Sequence, residues 1–256
     1  MAKIFCVANQ KGGVGKTTTT VNLAAGLAKI GQRVLMVDLD PQGNATMGSG
    51  VDKRELKHTI YDVLLEEATV AEARMPSEKC GYDVLGANRE LAGAEVELVA
   101  VERREARLKA ALAVVSAEYD FILIDCPPSL SMLTLNGLCC ANGVIVPMQC
   151  EYFALEGLTD LVNTIKQVHA NLNKDLQIIG LLRVMFDPRI TLQVQVSDQL
   201  KAHFADKVFN TVIPRNVRLA EAPSYGLPGV VFDGAAKGSQ AYVAFAAEMV
   251  ERIKKM

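Results

Sequence analysis

A glycine-rich stretch near the start of the chain combines the residue types that bind a phosphate chain. It spans residues 10–18, follows the apolar run 4–8 and leads into residues 21–28, which have the composition of a helix. Backbone N–H groups in such a turn converge on an anion, and the helix N-terminus adds partial positive charge. Lys16 would reach the outer phosphates, and the Thr17 hydroxyl would bind Mg²⁺. The stretch predicts a nucleoside-triphosphate site, with the phosphates contacted by Gly12, Gly13, Val14, Gly15, Lys16, Thr17 and Thr18.

One position of this stretch departs from the usual phosphate-loop pattern. Gln10 stands where the pattern has its first glycine, and a second lysine, Lys11, lies inside the loop. A surface turn with an incidental lysine is the alternative interpretation. The strand-like and helix-like flanks favour the phosphate site, because the pattern is informative only in that context.

Two further apolar runs end in carboxylates. Residues 33–37 lead to Asp38 and Asp40, and residues 119–125 end at Asp125, which a cysteine and two prolines follow. Ligands of open α/β sheets bind at the carboxyl ends of parallel strands. We therefore expect Asp125 to hold Mg²⁺ through water, because Mg²⁺ keeps several of its waters. An ordinary strand-end aspartate is the alternative.

Strand-like and helix-like segments alternate along the whole chain. This order predicts an α/β fold, with one doubly wound, mostly parallel sheet flanked by helices and a single domain over residues 1–256. We expect a mobile connection over residues 44–58. The predicted strands are 3–8, 33–37, 82–86, 119–125, 143–147, 176–182 and 208–213, and the predicted helices are 16–30, 59–65, 91–117, 154–172, 190–205 and 239–254.

Composition and charge limit the possible classes of protein. The chain has 256 residues, of which 50% are hydrophobic, so it can bury a substantial core. Its net charge is −2, but residues 51–174 carry −7 while the segments before and after carry +3 and +2. A polyanion should therefore meet the end segments. We see no signal peptide and no apolar segment of about 20 residues that would span a bilayer.

The six cysteines show no C-x-x-C spacing, and the three histidines are scattered. Buried, reduced thiols are the favoured interpretation, rather than disulfides or a metal site. An iron–sulfur protein is a further alternative, because Cys126 adjoins Asp125 and Cys139 adjoins Cys140. A cluster that bridges two subunits needs thiolates facing the dimer axis, and the missing C-x-x-C disfavours it.

Three stretches together resemble the ParA/Soj family of chromosome- and plasmid-partitioning ATPases. The stretches are residues 11–18, 38–42 and 121–125. The family belongs to the ParA/MinD group of P-loop nucleoside triphosphatases with a deviant phosphate loop (deviant Walker A). The resemblance extends over essentially the whole chain, and residues 37–44 and 213–218 are similar to chromosomal ParA in particular.

The resemblance implies an ATP-dependent homodimer with ATP and Mg²⁺ as cofactors. Such a dimer binds double-stranded DNA non-specifically in the ATP state, and hydrolysis to ADP and phosphate, stimulated by a ParB-type centromere-binding partner, releases it. A cytoplasmic, nucleoid-associated protein is implied, with no membrane partner. One orienting carboxylate without an arginine finger further suggests slow hydrolysis.

The resemblance also assigns roles to single residues. Lys11 reaches the nucleotide of the partner subunit, where cations from both sides offset a triphosphate in a low-dielectric gap. Asp40 positions or activates the attacking water, and Asp38 supports Mg²⁺ and the loop after it. Gly12 and Gly13 allow the two backbones to approach closely. The full sets are Lys11, Lys16 and Asp40 for catalysis, Thr17, Asp38 and Asp125 for the metal, Lys11 and residues 12–18 with Pro214 and Asn216 for the nucleotide, and Arg189 and Arg218 for DNA.

Two other functions are alternatives to partitioning. A MinD-like membrane ATPase that positions cell division needs a basic amphipathic tail, whereas residues 252–256 are too short to anchor alone. A sequence-specific repressor needs an added DNA-reading domain, and the first predicted strand already begins at residue 3, without a helix-turn-helix extension before it. Guanine specificity is not supported, because Leu176 stands where the guanine-reading motif requires an aspartate.

Overall fold

The computed structural model describes residues 1–152 and 154–255, without the side chains of residues 155 and 156. The strands are β1 (Lys3–Val7), β2 (Val34–Asp38), β3 (Arg74–Ser77), β4 (Tyr82–Leu85), β5 (Phe121–Asp125), β6 (Gly143–Met148), β7 (Gln177–Phe186) and β8 (Val208–Pro214). The helices are α1 (Lys16–Lys29), α2 (Asn44–Gly48), α3 (Ile60–Leu64), α4 (Val70–Ala73), α5 (Leu91–Glu97), α6 (Arg107–Val115), α7 (Met132–Cys140), α8 (Ala154–Asn171), α9 (Thr191–Phe204), α10 (Val217–Glu221), α11 (Gly229–Phe232) and α12 (Lys237–Lys254).

The strands form one sheet, which has eight strands among the described residues, in the order β3-β4-β2-β5-β1-β6-β7-β8. Among the described strands, only the pair β3–β4 at one edge of the sheet is antiparallel, and the other neighbouring strands run parallel to each other. The prediction of a mostly parallel α/β sheet is confirmed. Two parallel strands need a crossover connection, which is why helices separate the strands along the chain.

Each face of the sheet has its own apolar core. Successive strand residues point to opposite faces, so Cys6 lies in one core and Phe5 in the other. Helices α1 and α12 cover the Phe5 face with residues such as Leu23 and Tyr242. Helices α6, α7 and α8 cover the Cys6 face. Because both faces are buried, the central strands are continuous apolar runs, as the sequence shows.

The register of the three central strands places the predicted site residues together. Val7 pairs with Asp125 across β1 and β5, and Asp38 pairs with Asp125 across β2 and β5. The loop after β1 and the two aspartates therefore meet at the carboxyl edge of the sheet. This edge is where ligands of open α/β sheets bind.

The predicted helix over residues 91–117 is wrong. Its two ends are helical, as α5 and α6, but the chain turns at Val101–Arg103 and Arg103 has φ +52°. A helix backbone cannot continue through that left-handed conformation. The mixed charges of residues 102–107 have helical spacing, which made the segment look continuous.

Other elements also differ from the prediction. The predicted mobile connection begins with a defined helix, α2, and strand β7 continues beyond residue 182 to Phe186. Helix α7 and the short strand β3 were not predicted. Most residues of α7 are buried, so it lacks the apolar stripe that marks a surface helix.

Helix α12 runs back to the amino edge of the sheet. Its Arg252 Nη1 donates to the backbone oxygens of Ile179 and Asp206, each at 2.9 Å. Ile179 is the third residue of β7, and Asp206 lies just before β8. Within the described part of the chain, none of the helices is long and apolar enough to cross a bilayer.

Candidate active site

The loop between β1 and α1 has the conformation of a phosphate-binding turn. Gly13 and Gly15 adopt φ +73° and +75°, which residues with a side chain rarely tolerate, and Gly15 precedes the first turn of α1. Lys16 is buried, and its Nζ donates across the loop to the backbone oxygen of Lys11 at 3.1 Å. Burial lowers the pKa of Lys16, while the negative charge of Asp125 opposes that shift. The loop thus holds a cation at the N-terminus of a helix, where an anion is stabilised.

Asp125 holds the first turn of α1 against the end of β5. The Thr17 hydroxyl donates to Asp125 Oδ2 at 2.7 Å, and the Thr20 hydroxyl donates to Oδ1 at 2.8 Å. Asp125 is 1% exposed. The predicted metal residues Thr17 and Asp125 are therefore in direct contact. Thr20, which no sequence pattern indicates, donates the second side-chain hydrogen bond to this carboxylate.

Asp38 connects three segments through Thr46. The backbone N–H and the hydroxyl of Thr46 donate to Asp38 Oδ2 at 2.8 and 2.7 Å. The same hydroxyl accepts from the backbone N–H of Ala87, just beyond β4, at 2.9 Å. Asp38 therefore connects the end of β2 to α2 and, through Thr46, to the chain just beyond β4.

Two carboxylates, Asp38 and Asp125, lie buried side by side at the ends of β2 and β5. Burial raises the pKa of both Asp38 and Asp125, and the charge of Asp38 raises that of Asp125 further. A cation next to them would stabilise their ionised forms. The Thr17 hydroxyl and these carboxylates are oxygen donors of the kind that Mg²⁺ prefers. No group of three or more histidine, cysteine, aspartate or glutamate side chains suited to a metal is present in the part that the structure describes.

Asp40 lies at the opening of the site. Its backbone N–H donates to Asp38 Oδ1 at 3.1 Å, and its own Oδ1 accepts from the Gln42 backbone N–H at 2.9 Å. Its negative charge acts on the Lys16 ammonium. The structure thus brings Asp40 to the phosphate loop and holds it at the end of β2, half-buried rather than enclosed.

The two lysines of the loop have different environments. Lys16 is 8% exposed, whereas the Lys11 side chain is 48% exposed. Lys11 Nζ donates to Glu151 Oε2 at 2.5 Å, outside its own loop. Glu151 lies just beyond β6, next to Gln149, whose side-chain amide donates to the Gly13 oxygen at 3.3 Å. Sequence reasoning missed Glu151, because nothing local indicates a contact over 140 residues.

A cavity lies beside the phosphate loop. It has a volume of about 180 Å³ and a mainly apolar lining that includes Gly15, Thr18 and Met185, together with the predicted base-binding residues Pro214 and Asn216. Asn216 Oδ1 accepts from the backbone N–H groups of α10 and caps that helix. Its amide nitrogen is therefore the part of the side chain suited to a ligand in the cavity.

The two predicted DNA-binding arginines lie at the same edge of the sheet, after neighbouring strands. Arg189 follows β7 and Arg218 follows β8, and the ends of these strands are paired. Both side chains bind carboxylates: Arg189 binds Asp187, and Arg218 binds Glu221 at 2.9 Å. The structure therefore places both arginines on one exposed rim, each with an acidic partner.

Comparison with known proteins identifies the family. A family model described as an AAA domain matches residues 2–178. The sporulation initiation inhibitor protein Soj of Bacillus subtilis is 51% identical over 249 residues, which cover 97% of this chain and 98% of Soj. The chromosome partitioning protein ParA of Caulobacter vibrioides is 49% identical over 252 residues, covering 98% of this chain and 94% of ParA. The chain belongs to the ParA/Soj family of chromosome-partitioning ATPases.

A solved structure supports the same family at the level of the fold. The cobyrinic acid a,c-diamide synthase of Mycobacterium smegmatis, with bound ADP and magnesium, has a TM-score of 0.87. It is 38% identical to this ParA/Soj-family chain and covers 99% of it, and the match spans 96% of the synthase. The predicted resemblance and fold class are confirmed.

The cysteines of this ParA/Soj-family chain are free and buried. Cys126 follows Asp125 on β5, and Cys139 and Cys140 end α7, where they contribute to the apolar core. Burial raises the pKa of Cys139 to about 11. These properties agree with the predicted reduced thiols.

Proposed function

We propose that this chain is a DNA-partitioning ATPase that binds ATP and Mg²⁺, dimerises around the nucleotide and binds double-stranded DNA non-specifically in that state. Hydrolysis, stimulated by a ParB-type partner, then releases it from DNA. The chain would act in the cytoplasm on the nucleoid, during segregation of a chromosome or plasmid. The membership of the ParA/Soj family supports this proposal.

The different exposure of the two loop lysines is the observation that carries the proposal. Lys16 is buried against its own loop, where it would neutralise the phosphates of its own nucleotide. Lys11 extends from the loop to Glu151 and keeps half of its surface in solvent. A second cation that faces away from its own phosphate loop is suited to a nucleotide bound by a neighbouring subunit.

Gly12 supports the same conclusion. A Cβ atom at Gly12 would meet no described atom within 4 Å, so nothing within this part of the chain explains the glycine. A partner subunit packed against the loop would explain it, because it leaves no room for a side chain. We expect Gly12→Ala to bind ATP like wild type and to fail to dimerise, as measured by nucleotide titration and analytical ultracentrifugation. A normal ATP-dependent dimer would contradict this role.

The residues of the site would have separate roles in ATP hydrolysis. Thr17, Asp38 and Asp125 would hold Mg²⁺, which neutralises charge on the phosphates when it is bound. Asp40 would orient the attacking water at the opening of the site. Lys16 would stabilise the charge that develops on the phosphoryl oxygens. Phosphoryl transfer depends mainly on such positioning and charge neutralisation.

The apolar cavity beside Gly15 is our candidate for the adenine base. Pro214 would pack against the face of the ring, and the Asn216 amide nitrogen would donate to a ring nitrogen. Its volume of about 180 Å³ suits a flat base better than a larger ligand. An Asn216→Asp variant would present no amide donor, so we expect it to weaken ATP binding.

DNA binding with ATP or with ADP tests the function directly. We expect the ATP-bound form to retain a duplex of arbitrary sequence and the ADP-bound form to release it. Binding should weaken steeply as salt rises, because phosphate contacts displace counterions. Equal binding in both nucleotide states would overturn the proposal. Stronger ATP-dependent binding to anionic vesicles than to DNA would instead favour the MinD-like membrane function.

The two arginines provide the matched test of the DNA surface. Arg189→Glu combined with Arg218→Glu should abolish DNA retention while ATP-dependent dimerisation remains. Arg33→Glu is a suitable control, because Arg33 pairs with an acid, Asp120, at the opposite edge of the sheet. Unchanged DNA retention in the double variant would refute the assignment of the two arginines.

A further inference from the structure

The Arg189 guanidinium is held by a carboxylate of its own loop. Its Nε donates to Asp187 Oδ1 at 2.9 Å, and its Nη2 donates to Oδ2 at 2.6 Å. The Arg189 backbone N–H also donates to Oδ1 at 3.0 Å. The carboxylate therefore occupies the same two parallel donors that a DNA phosphate would use.

The two side chains of this ion pair, Asp187 and Arg189, differ in how tightly the protein holds them. The Asp187 side chain is 23% exposed, and the backbone N–H of Asp187 is fixed by the Gln193 side chain at 2.7 Å. The Arg189 side chain is 87% exposed. Hydrogen bonds from Arg189 lower the pKa of Asp187 to about 2, so the carboxylate stays charged at neutral pH. Asp187 is thus a fixed, permanent anion, and Arg189 is the partner that can move away.

Arg218, in the first turn of α10, is also held by carboxylates, but by two different ones. Its Nη1 contacts Glu221 Oε2 at 2.9 Å, and its Nε contacts Asp233 Oδ2 at 3.3 Å. Asp233 is itself fixed, because its Oδ1 accepts two backbone N–H groups at 3.2 Å. The positive charge of Arg215 also acts on Asp187. Both arginines of the rim are therefore paired with acids, so the rim does not present a purely basic surface.

We propose that Asp187 and Glu221 compete with DNA phosphates for Arg189 and Arg218, and so set the affinity of this rim for DNA. The proposal rests on the proposed function. A phosphate must displace each carboxylate before it can form the bidentate contact. A single chain then binds DNA weakly, and only the doubled contacts of a dimer retain it. The acids thereby increase the difference between the monomer and the dimer in DNA affinity.

Removal of the carboxylate charge should therefore strengthen DNA binding. An exposed ion pair changes an equilibrium constant by a factor of about 1.5 to 5. We expect Asp187→Asn to tighten DNA binding of the ATP form by about two- to fivefold per chain, and Glu221→Gln to have a smaller effect, because Asp233 still contacts Arg218. The asparagine still accepts the Arg189 backbone N–H, so the loop should keep its shape.

The experiment measures fluorescence anisotropy of a labelled duplex of arbitrary sequence with wild type, Asp187→Asn and Asp198→Asn, each with ATP and with ADP. Asp198 is an exposed residue of α9 and is absent from the ion pairs of the described residues. Its substitution removes the same charge and frees no guanidinium. A gain for Asp187→Asn that exceeds the gain for Asp198→Asn supports competition; equal gains overturn it.

A double-mutant cycle separates competition from general charge repulsion. In an Arg189→Ala background, Asp187→Asn should improve DNA binding no more than Asp198→Asn does, because no guanidinium remains to be released. A full gain in that background would overturn the proposal. Failure of the competition proposal is distinguishable from failure of the proposed function. If only the competition proposal fails, wild type still binds DNA with ATP; if the proposed function fails, wild type does not bind DNA with ATP.

Discussion

At the scale of single residues, Asp40 combines a fixed backbone with a half-buried carboxylate near Lys16. We expect Asp40→Ala to bind ATP and to remain dimeric, because the phosphate loop and the metal residues are unchanged. Loss of a positioned acid–base group should lower the hydrolysis rate by about 10²- to 10⁴-fold. Phosphate release under single-turnover conditions measures this rate. Normal turnover would show that another group orients the water.

The two lysines should fail in different ways. Lys16→Ala removes a buried cation from the loop, and we expect it to abolish nucleotide binding. Lys11→Ala should keep nucleotide binding by the single chain and lose the ATP-dependent dimer. Isothermal titration and light scattering measure the two properties separately. Lys29→Ala, at the exposed end of α1, is the matched control and should change neither; loss of nucleotide binding in Lys11→Ala would contradict the proposed division of roles.

The residue types of the site were predictable, but several of their partners were not. Lys16, Thr17 and Asp125 could be found because glycine spacing and a strand-end acid are local patterns. Thr46 and Glu151 carry no such pattern, and their contacts depend on how distant segments are packed. A threonine in an unremarkable stretch becomes important only when Asp38 lies next to it.

At the scale of elements, helix α2 depends on one buried hydroxyl. Thr46→Val would keep the shape of the side chain and leave both Asp38 and the Ala87 backbone N–H without that hydroxyl. Loss of buried hydrogen bonds to a carboxylate should cost about 1–3 kcal/mol of unfolding free energy. Thermal denaturation should then show a decrease of several degrees. Thr46→Ser keeps the hydroxyl, so equal losses in the two variants would contradict this explanation.

Gly43 controls the entry of the chain into α2. It has φ +61°, and a Cβ there would lie 2.5 Å from the Ala87 backbone oxygen. Gly31 has φ +85°, and a Cβ there would meet no described atom within 4 Å. Gly31→Ala should therefore show only the conformational cost of about 1–2 kcal/mol. We expect Gly43→Ala to be less stable than Gly31→Ala and to hydrolyse ATP more slowly. Similar free energies of unfolding for the two variants in urea denaturation would argue against the clash.

The elements that were predicted correctly have clear local sequence patterns, and those that were missed do not. The strands before Asp38 and Asp125 are short apolar runs bounded by polar residues, which is a strong local indication. Helix α7 has almost no polar face, so its period is hidden. The break between α5 and α6 depends on the left-handed backbone conformation of Arg103. Arginine is not a residue type that indicates a turn in a sequence.

At the scale of the whole molecule, bound nucleotide should stabilise the fold. A ligand at 100 times its Kd adds about 2.7 kcal/mol, which corresponds to a rise of several degrees in the melting temperature. Removal of Mg²⁺ by EDTA should remove most of this rise, because Asp38 and Asp125 then face the phosphates without the metal cation. Differential scanning fluorimetry with ATP measures both. An equal rise with EDTA would contradict the assignment of the metal residues, and Lys16→Ala should show no rise in either buffer.

The alternation of strands and helices was enough to predict a parallel α/β sheet, but not its full order. Strand β3 joins the sheet by an antiparallel pairing and contains Pro76, which weakens any strand prediction. The middle position of β1, between β5 and β6, depends on packing against both faces. Those contacts are long-range, and no local pattern reports them.

The return of α12 to the amino edge of the sheet has a practical consequence for single-molecule measurements. Lys254, near its end, is exposed, and Lys3 at the start of β1 lies at the same edge. The nucleotide loop and the arginine rim lie at the other edge. Because the cysteines are buried, one cysteine introduced at position 254 could be labelled selectively. A chain tethered to a glass surface there would present its phosphate loop and its arginines to solution together, so that ligand binding and release could be watched on one immobilised molecule.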